Sequence, residues 1–112
     1  MKLLAATLLA ATLTASNGPK LDVYPGVVMP GGTVRWRCII PRDPLNRKMR
    51  GGFDLHRTFE ESLDGERARA VFERLIPEVP CEPGAAFCEV TRASGSRVRV
   101  TAHVQVAGCD AP

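Results

Sequence analysis

The amino-acid sequence predicts an all-β protein, an antiparallel β-sandwich of about seven strands that two disulfides stabilise. Three observations support this prediction. Short stretches in which apolar and polar residues alternate recur along the chain, and turn signals rich in Pro and Gly separate them. Few segments have helical spacing. Four cysteines follow an apolar N-terminal run, and an even number of cysteines in a short exported chain indicates disulfides and an oxidising compartment.

The N-terminus has the organisation of a signal peptide. After a short positive start, residues 3–13 (LLAATLLAATL) form an apolar run of 11 residues, which is too short to span a membrane. Small residues favour cleavage after Ser16, with cleavage two residues later as the alternative. We therefore predict a signal peptide at residues 1–16 and one domain at residues 17–112. The mature chain is expected to be secreted or periplasmic, without membrane insertion.

The charge of the chain argues against a nucleic-acid partner. Fifteen Lys and Arg residues against 12 Asp and Glu residues give a net charge of +3, and loss of Lys2 with the signal peptide leaves +2. Nucleic-acid-binding domains carry a much stronger basic footprint. A domain of the predicted size has marginal stability, so each disulfide is expected to contribute ~2–4 kcal/mol.

Residues 33–40 (TVRWRCII) form the clearest strand pattern in the chain. Apolar residues alternate there with Thr and Arg, so one face is predicted to be buried and the other exposed to solvent. The inward set is Val34, Trp36, Cys38 and Ile40. Residues 20–29 predict an edge strand that prolines interrupt. Residues 41–47 predict a loop from their Pro, Asp and Asn content.

Residues 48–55 (KMRGGFDL) predict another strand, with a bulge or a close backbone approach at its glycine pair. Its inward residues are predicted to be Met49, Phe53 and Leu55. Residues 56–63 predict a further extended piece. Residues 66–76 (ERARAVFERLI) are ambiguous, because their apolar spacing and residue types favour a helix. We predict a strand there because the surrounding pattern is all-β.

A β-hairpin is predicted near the C-terminus. Residues 86–92 and 97–106 both alternate, and a Ser-Gly-Ser turn lies between them. The inward residues of the first strand are Ala86, Cys88 and Val90. Those of the second are Val98, Val100, Ala102, Val104 and Val106.

Two cysteine-bearing segments suggest a family. Residues 30–38 (PGGTVRWRC) form a turn into a strand with an inward cysteine, and residues 87–95 (FCEVTRASG) form a second such strand followed by a tight turn. Together they resemble the second and the penultimate strands of an immunoglobulin-like domain. The resemblance covers nearly all of the predicted domain. It implies an immunoglobulin-like antiparallel β-sandwich of a divergent bacterial or phage-encoded secreted type.

Departures from the family pattern argue against an antibody-type domain. The family's core tryptophan belongs to the third strand, whereas the single tryptophan of this chain, Trp36, stands two residues before Cys38. Trp36 is expected to fill the same space from the other side. Ala86 stands where the family has a tyrosine two residues before the second cysteine.

Four cysteines allow three pairings. The resemblance implies that Cys38 pairs with Cys88 between the sheets and that Cys81 pairs with Cys109 at one end of the sandwich. The main alternative joins Cys81 to Cys88 and Cys38 to Cys109. The third pairing, Cys38–Cys81 with Cys88–Cys109, is least favoured because it breaks the inward pair.

The residue patterns of common catalytic and metal sites do not occur in the sequence. It contains no C-x-x-C pair, no G-x-S-x-G elbow and no phosphate-cradling glycine loop. Glu60 and Glu61 are adjacent, but neighbours on a strand point to opposite faces, which argues against a glycosidase pair. His56 and His103 have no predicted partner. We therefore predict no catalytic residue, no metal and no cofactor, and a protein that is not an enzyme.

The best candidate for a binding site is a cluster of basic residues on and beside the loop at residues 41–47. Its members are Arg42, Arg47, Lys48 and Arg50. Loops at the end of a rigid sandwich often carry recognition, and such a cluster can bind a carboxylate, sulfate or phosphate group of a partner. The alternative is a solvated loop in which Arg42 and Asp43 partly neutralise each other. Arg35, Arg37, Arg97 and Arg99 are expected to be ordinary solvent-facing residues.

The sequence therefore predicts a secreted, non-enzymatic immunoglobulin-like module for binding or structural interaction, by fold analogy. Its partner is expected to be a protein or a surface glycan, and not a nucleic acid. One alternative is a small secreted hydrolase (protease) inhibitor that presents residues 41–47 (PRDPLNR) or 77–84 (PEVPCEPG) as a rigid loop. Another is a small hydrolase built around His56 or His103.

Overall fold

Residues 18–63 and 69–109, which the computed structural model describes, contain nine β-strands and no helix. The strands are β1 (Lys20–Tyr24), β2 (Val27–Val28), β3 (Val34–Ile40), β4 (Asn46–Phe53), β5 (Arg57–Ser62), β6 (Ala70–Ile76), β7 (Ala86–Arg92), β8 (Arg97–Ala102) and β9 (Gln105–Val106). The predicted signal peptide at residues 1–16 lies outside the described residues. Within the described ranges, no helix has the length and apolar character needed to cross a membrane.

The strands form two antiparallel sheets and one short parallel pair. One sheet has the order β1-β3-β6, the other has the order β5-β4-β7-β8, and β2 pairs with β9. The prediction of an all-β chain with antiparallel sheets and two disulfides is confirmed. The bonds join Cys38 to Cys88 and Cys81 to Cys109, which is the pairing that the resemblance implies.

The first and the last strands are each broken in two, which gives nine strands rather than about seven. β1 pairs with β3, whereas β2, beyond Pro25 and Gly26, pairs with β9. Proline has no backbone N–H, so a ladder does not continue regularly through it. The last strand is interrupted at His103 and Val104, between β8 and β9.

The ambiguous segment at residues 66–76 is a strand over its described part. Ala70–Ile76 forms β6, and residues 66–68 lie outside the described part of the chain. β6 pairs with β3 along all seven of its residues. This continuous ladder satisfies backbone polar groups and overrides the local helical propensity. As a result Val71 and Leu75, which a helix would place with the apolar face, are exposed.

β4 begins two residues earlier than predicted, because Asn46 is part of the strand. The Asn46 side chain is buried, and its amide donates to the Pro41 carbonyl at 3.3 Å. The irregularity in register lies at Arg47 and not at the glycine pair. The prediction that Leu55 faces the core is wrong, because Leu55 lies in the turn after β4 and is 72% exposed.

Trp36 fills the space between the two sheets. Its indole N–H donates to the Phe87 carbonyl at 3.0 Å, and its ring meets Phe59 edge-on with the centroids 4.7 Å apart. A Cβ at Gly51 would overlap the Trp36 ring, so this position requires glycine because of a close approach. The Cys38–Cys88 bond is fully buried and joins β3 to β7, the central strands beneath the two outer faces.

Candidate binding surface

The four basic residues that the sequence groups together do not form one cluster. Arg42 lies in the loop between β3 and β4, and Arg47 lies at the irregularity in β4. The Arg47 guanidinium donates to the carbonyls of Pro44 and Asn46, at 2.8 and 2.9 Å, so it braces its own loop. Lys48 and Arg50 belong to the regular part of β4 and point away from the core.

The alternative interpretation of the loop pairs Arg42 with Asp43, but Asp43 makes its close ionic contact with Arg92. The Asp43 carboxylate lies 3.2 Å from the Arg92 guanidinium and accepts the Leu45 N–H at 2.9 Å. Asp43 therefore ties the loop to the end of β7. Arg42 itself is exposed.

Lys48 and Arg50 lie on the outer face of the four-stranded sheet, together with two arginines of β8. The register of β4, β7 and β8 places the outward residues in rows. The first row is Lys48, Thr91 and Arg97, and the second row is Arg50, Glu89 and Arg99. We call the surface formed by these two rows, with Phe87 and Glu60 beside them, the basic face. It carries four cationic and two anionic side chains.

The second row covers an aromatic ring. The guanidinium carbons of Arg50 and Arg99 lie 5.2 and 4.1 Å from the centroid of the Phe87 ring. Each guanidinium also approaches the Glu89 carboxylate at 4.0 Å. Phe87 is 0% exposed although its side chain points outward from the sheet. The two cations are therefore held by stacking and by a shared carboxylate.

The side chains of the first row make weaker contacts with their neighbours than those of the second row. The Lys48 ammonium lies 3.5 Å from the Glu60 carboxylate, and both side chains are about half exposed, so the pair contributes little to stability. Thr91 lies between Lys48 and Arg97 in the register. Among the described residues, no carboxylate lies within 4 Å of the Arg97 guanidinium. This row presents a hydroxyl group between two cations.

Large apolar side chains are exposed elsewhere in the molecule. Those of the described chain are Tyr24, Val27, Met29, Leu45, Leu55, Val71 and Leu75, and none of them belongs to the basic face. Tyr24, Val71 and Leu75 share the outer face of the three-stranded sheet. The two outer faces therefore differ in chemistry.

The Cys81–Cys109 disulfide lies at the end of the molecule where β4 ends and β7 begins. We call this end of the molecule the disulfide pole. Its loop, residues 77–85, is anchored at several points. Val79 exchanges two backbone hydrogen bonds with Gly31 and Gly32, at 2.8 and 3.0 Å. Cys81 bonds to Cys109, with the Cα atoms 5.5 Å apart.

The far end of the same loop is held by the turn after β4. The Leu55 N–H donates to the Pro83 carbonyl at 3.1 Å, and the Ala85 N–H donates to the Asp54 carboxylate at 3.0 Å. Glu78 and Glu82 remain exposed between the anchors. The loop is thus held at both ends, with Glu78, Cys81 and Glu82 exposed and with Val79 and Pro83 buried.

The histidines and the adjacent glutamates lie apart from one another. His56 Nε2 is 3.3 Å from the Pro77 carbonyl, and His103 is exposed after β8. Glu60 pairs with Lys48 on the basic face, whereas Glu61 pairs with Arg74 of the facing sheet. In residues 18–63 and 69–109, no group of three His, Cys, Asp or Glu side chains is arranged to hold a metal ion.

A small cleft opens beside the loop between β3 and β4. Asp43, Asn46 and Arg92 line it together with apolar residues, and its volume is about 10 Å³. That is room for a single water molecule, whereas small-molecule sites need several hundred Å³. The broad basic face is therefore the better candidate for recognition.

Sequence reasoning missed the residues that complete this face. Arg97 and Arg99 were expected to be ordinary solvent-facing residues, and Phe87, Glu89 and Thr91 were not singled out. Their alternation in the hairpin predicts that they point outward. These five residues lie on β7 and β8. They share a face with Lys48 and Arg50 because β4 pairs with β7, which is distant from β4 in the sequence.

Comparison of the chain with protein-family models, with curated proteins and with solved structures yields no match. The surface of the chain itself is therefore the basis for any functional proposal. The basic face is its most distinctive part, because Arg50 and Arg99 are stacked on the ring of Phe87, which is fully buried.

Proposed function

We propose that this protein is an exported, non-enzymatic immunoglobulin-like β-sandwich that binds a partner, a protein or a surface glycan, through its basic face. The observation that carries the proposal is the pair formed by Arg50 and Arg99, which stack on Phe87 and share Glu89. Cations held in this way lose little conformational freedom on binding. They suit an anionic group of a partner.

The strand order supports the immunoglobulin-like part of the proposal. β1-β3-β6 in one sheet and β5-β4-β7-β8 in the other correspond to the order A-B-E and C′-C-F-G, which is an immunoglobulin-type arrangement without edge strand D and with C′ added beside C. The Cys38–Cys88 bond joins the sheets, as the family bridge does. Trp36 packs between them and reaches β7 through its indole N–H.

Export is supported by the cysteines and by the N-terminus. Two disulfides indicate an oxidising, non-cytoplasmic compartment. The predicted signal peptide at residues 1–16 gives the route to such a compartment.

The test uses two charge-matched double variants of the mature chain. R50Q/R99Q removes the stacked pair, and R42Q/R47Q removes two arginines of the neighbouring loop. We expect labelled R50Q/R99Q to bind cells of the producing organism at least about tenfold more weakly than wild type. R42Q/R47Q is expected to bind like wild type. Equal binding by all three proteins would refute the proposal.

A second function, inhibition of a protease, is favoured by one specific observation. The loop at residues 77–85 is anchored by Gly31, Gly32, Asp54, Leu55 and a disulfide, and it exposes Glu78 and Glu82 between these anchors. A loop that is rigid before binding loses little entropy when it occupies a protease cleft. Incubation of the purified protein with a panel of proteases tests this function, and absence of inhibition across the panel would exclude it. Residues 41–47 are the second loop to examine, through the R42Q/R47Q variant.

A further inference from the structure

The two rows of the basic face have the same plan but a different central residue. In the second row, a carboxylate of β7, Glu89, lies between Arg50 of β4 and Arg99 of β8. One step along the same three strands, Thr91 occupies the central position. Residues two apart on a strand are separated by about 7 Å. The first row therefore repeats the arrangement of the cations with a hydroxyl in place of the central carboxylate, and its only close anion is Glu60 of β5, in a half-exposed pair with Lys48 among the described residues.

We propose that the basic face binds an acidic polysaccharide and that Lys48, Thr91 and Arg97 hold one of its carboxylate or sulfate groups. This inference rests on the proposed function and names the class of ligand. The bound anion takes the place in the first row that Glu89 takes in the second.

The side chains of the first row fit such a group. Adjacent strands lie about 4.8 Å apart, so Lys48 and Arg97 flank Thr91 at a combined separation of about 10 Å. Both side chains are long enough to reach an anion above the Thr91 hydroxyl. The guanidinium offers a planar pair of N–H donors, the ammonium a point charge and the hydroxyl one more donor. Together they match the oxygen atoms of a carboxylate or a sulfate.

The rest of the face favours a polysaccharide over a protein. The centre of a protein interface is usually apolar or aromatic, and none of the exposed large apolar residues of the described chain lies on this face. The register instead surrounds the two rows with small hydroxyl side chains. These are Thr58, Ser62 and Thr101. Such side chains form hydrogen bonds with sugar hydroxyls.

Nucleic acid fits the face poorly. Proteins that bind single strands stack bases on exposed aromatic rings, whereas the Phe87 ring is 0% exposed beneath two arginines. Duplex-binding domains also carry a much stronger basic footprint than the four cations and two carboxylates of this face.

The experiment measures equilibrium binding of the full mature chain to four polymers at an ionic strength of about 0.15 M, where charges more than about 8 Å apart are largely screened. The polymers are dextran sulfate, polygalacturonate, neutral dextran and duplex DNA. We expect binding to at least one of the two acidic polysaccharides and none to neutral dextran. The comparison of dextran sulfate with polygalacturonate distinguishes a sulfate site from a carboxylate site.

Variants locate the binding site. K48Q/R97Q is expected to weaken binding by at least about tenfold, and T91V is expected to weaken it by roughly threefold through loss of one hydrogen bond. R42Q/R47Q removes the same formal charge from the neighbouring loop and is expected to leave the affinity within about twofold of wild type. Unchanged thermal unfolding of each variant shows that the loss comes from the site.

Three results would overturn the inference. One is an equal loss for K48Q/R97Q and R42Q/R47Q, which would indicate general charge attraction. The second is binding of duplex DNA as tightly as of the acidic polysaccharide that binds more tightly. The third is failure of both acidic polysaccharides to bind.

If neither acidic polysaccharide binds but cell binding still depends on Arg50 and Arg99, the proposed function stands with a protein as the partner. If it does not, both proposals fail.

Discussion

The two outer faces of the molecule use the same residue types in opposite arrangements. On the basic face, a central glutamate is flanked by two arginines, in the row Arg50–Glu89–Arg99. On the outer face of the three-stranded sheet, a central arginine is flanked by two carboxylates. That row is Asp22–Arg37–Glu73. The residue on β7 or β3 thus differs in charge from the two residues that flank it, and on the basic face the row continues beyond Arg50 to Glu60 of the edge strand β5.

The aromatic residues of the two faces differ in the same way. Phe87 lies on β7, between two strands that each supply an arginine, and it is fully covered. Tyr24 lies on the edge strand β1, with a single neighbouring arginine, Arg35, at 5.9 Å from its ring, and it is 65% exposed. A ring on a central strand has side chains on both sides to cover it, whereas a ring on an edge strand has them on one side. Strand order, more than residue type, therefore determines which ring is available to solvent.

The largest expected effect comes from the disulfide that lies beneath both faces. Replacement of Cys38 and Cys88 by alanine is expected to lower the free energy of unfolding by about 4 kcal/mol, because it frees a long loop in the unfolded chain. The matched change, C81A/C109A, is expected to cost less, since its loop spans 28 residues against 50. Urea unfolding of both variants measures the difference. A larger loss for C81A/C109A would show that the disulfide pole, and not the buried bond, dominates stability.

The next largest effect tests the difference between the two rings. Phe87→Ala is expected to lower the free energy of unfolding by about 3 kcal/mol or more, because it removes a buried ring and leaves two arginines without support. Tyr24→Ala is expected to cost less than about 1 kcal/mol, because the Tyr24 ring is mostly in water. Thermal and urea unfolding give both values. Similar losses for the two variants would mean that coverage by the arginines contributes nothing.

The smallest effect concerns the two opposite charge rows. Glu89→Gln leaves the stacked cations Arg50 and Arg99 without their shared carboxylate, and is expected to cost about 1 kcal/mol at low salt. Glu73→Gln on the other face, on the exposed edge strand β6, is expected to change stability by less than about 0.5 kcal/mol. The difference between the variants is expected to shrink as salt is added. A difference that does not depend on salt would indicate that Glu89 acts through packing.

Alternation along the chain was sufficient to predict the strong elements. β3 and β7 appear as predicted, with Trp36 and Cys38 inward on one and Cys88 inward on the other. The segment around β6 was harder to predict, because its local residue types favour a helix and only pairing with β3 makes it a strand. Leu55 was placed in the core because it is in phase with β4, but the strand ends before it.

The candidate site was predictable only in part. The dense run of basic residues indicates Lys48 and Arg50, but it also includes Arg42, which is exposed in the loop, and Arg47, which donates to carbonyls of that loop. Their neighbours in space, Arg97 and Arg99, are about 50 residues away in the sequence. A local pattern contains no information about which strands become neighbours.

The sequence by itself determined that the chain folds as β-structure, which residues of β3 and β7 point inward and that its cysteines belong to an oxidising compartment. These properties depend on the twofold periodicity of a strand and on local composition, so they can be derived from neighbouring residues. Only the tertiary structure decided that β4 pairs with the hairpin of β7 and β8, that Gly51 makes room for Trp36 and that two arginines lie over Phe87. The physical reason is that pairing between distant strands is set by the packing of the whole core, where many weak contacts act together.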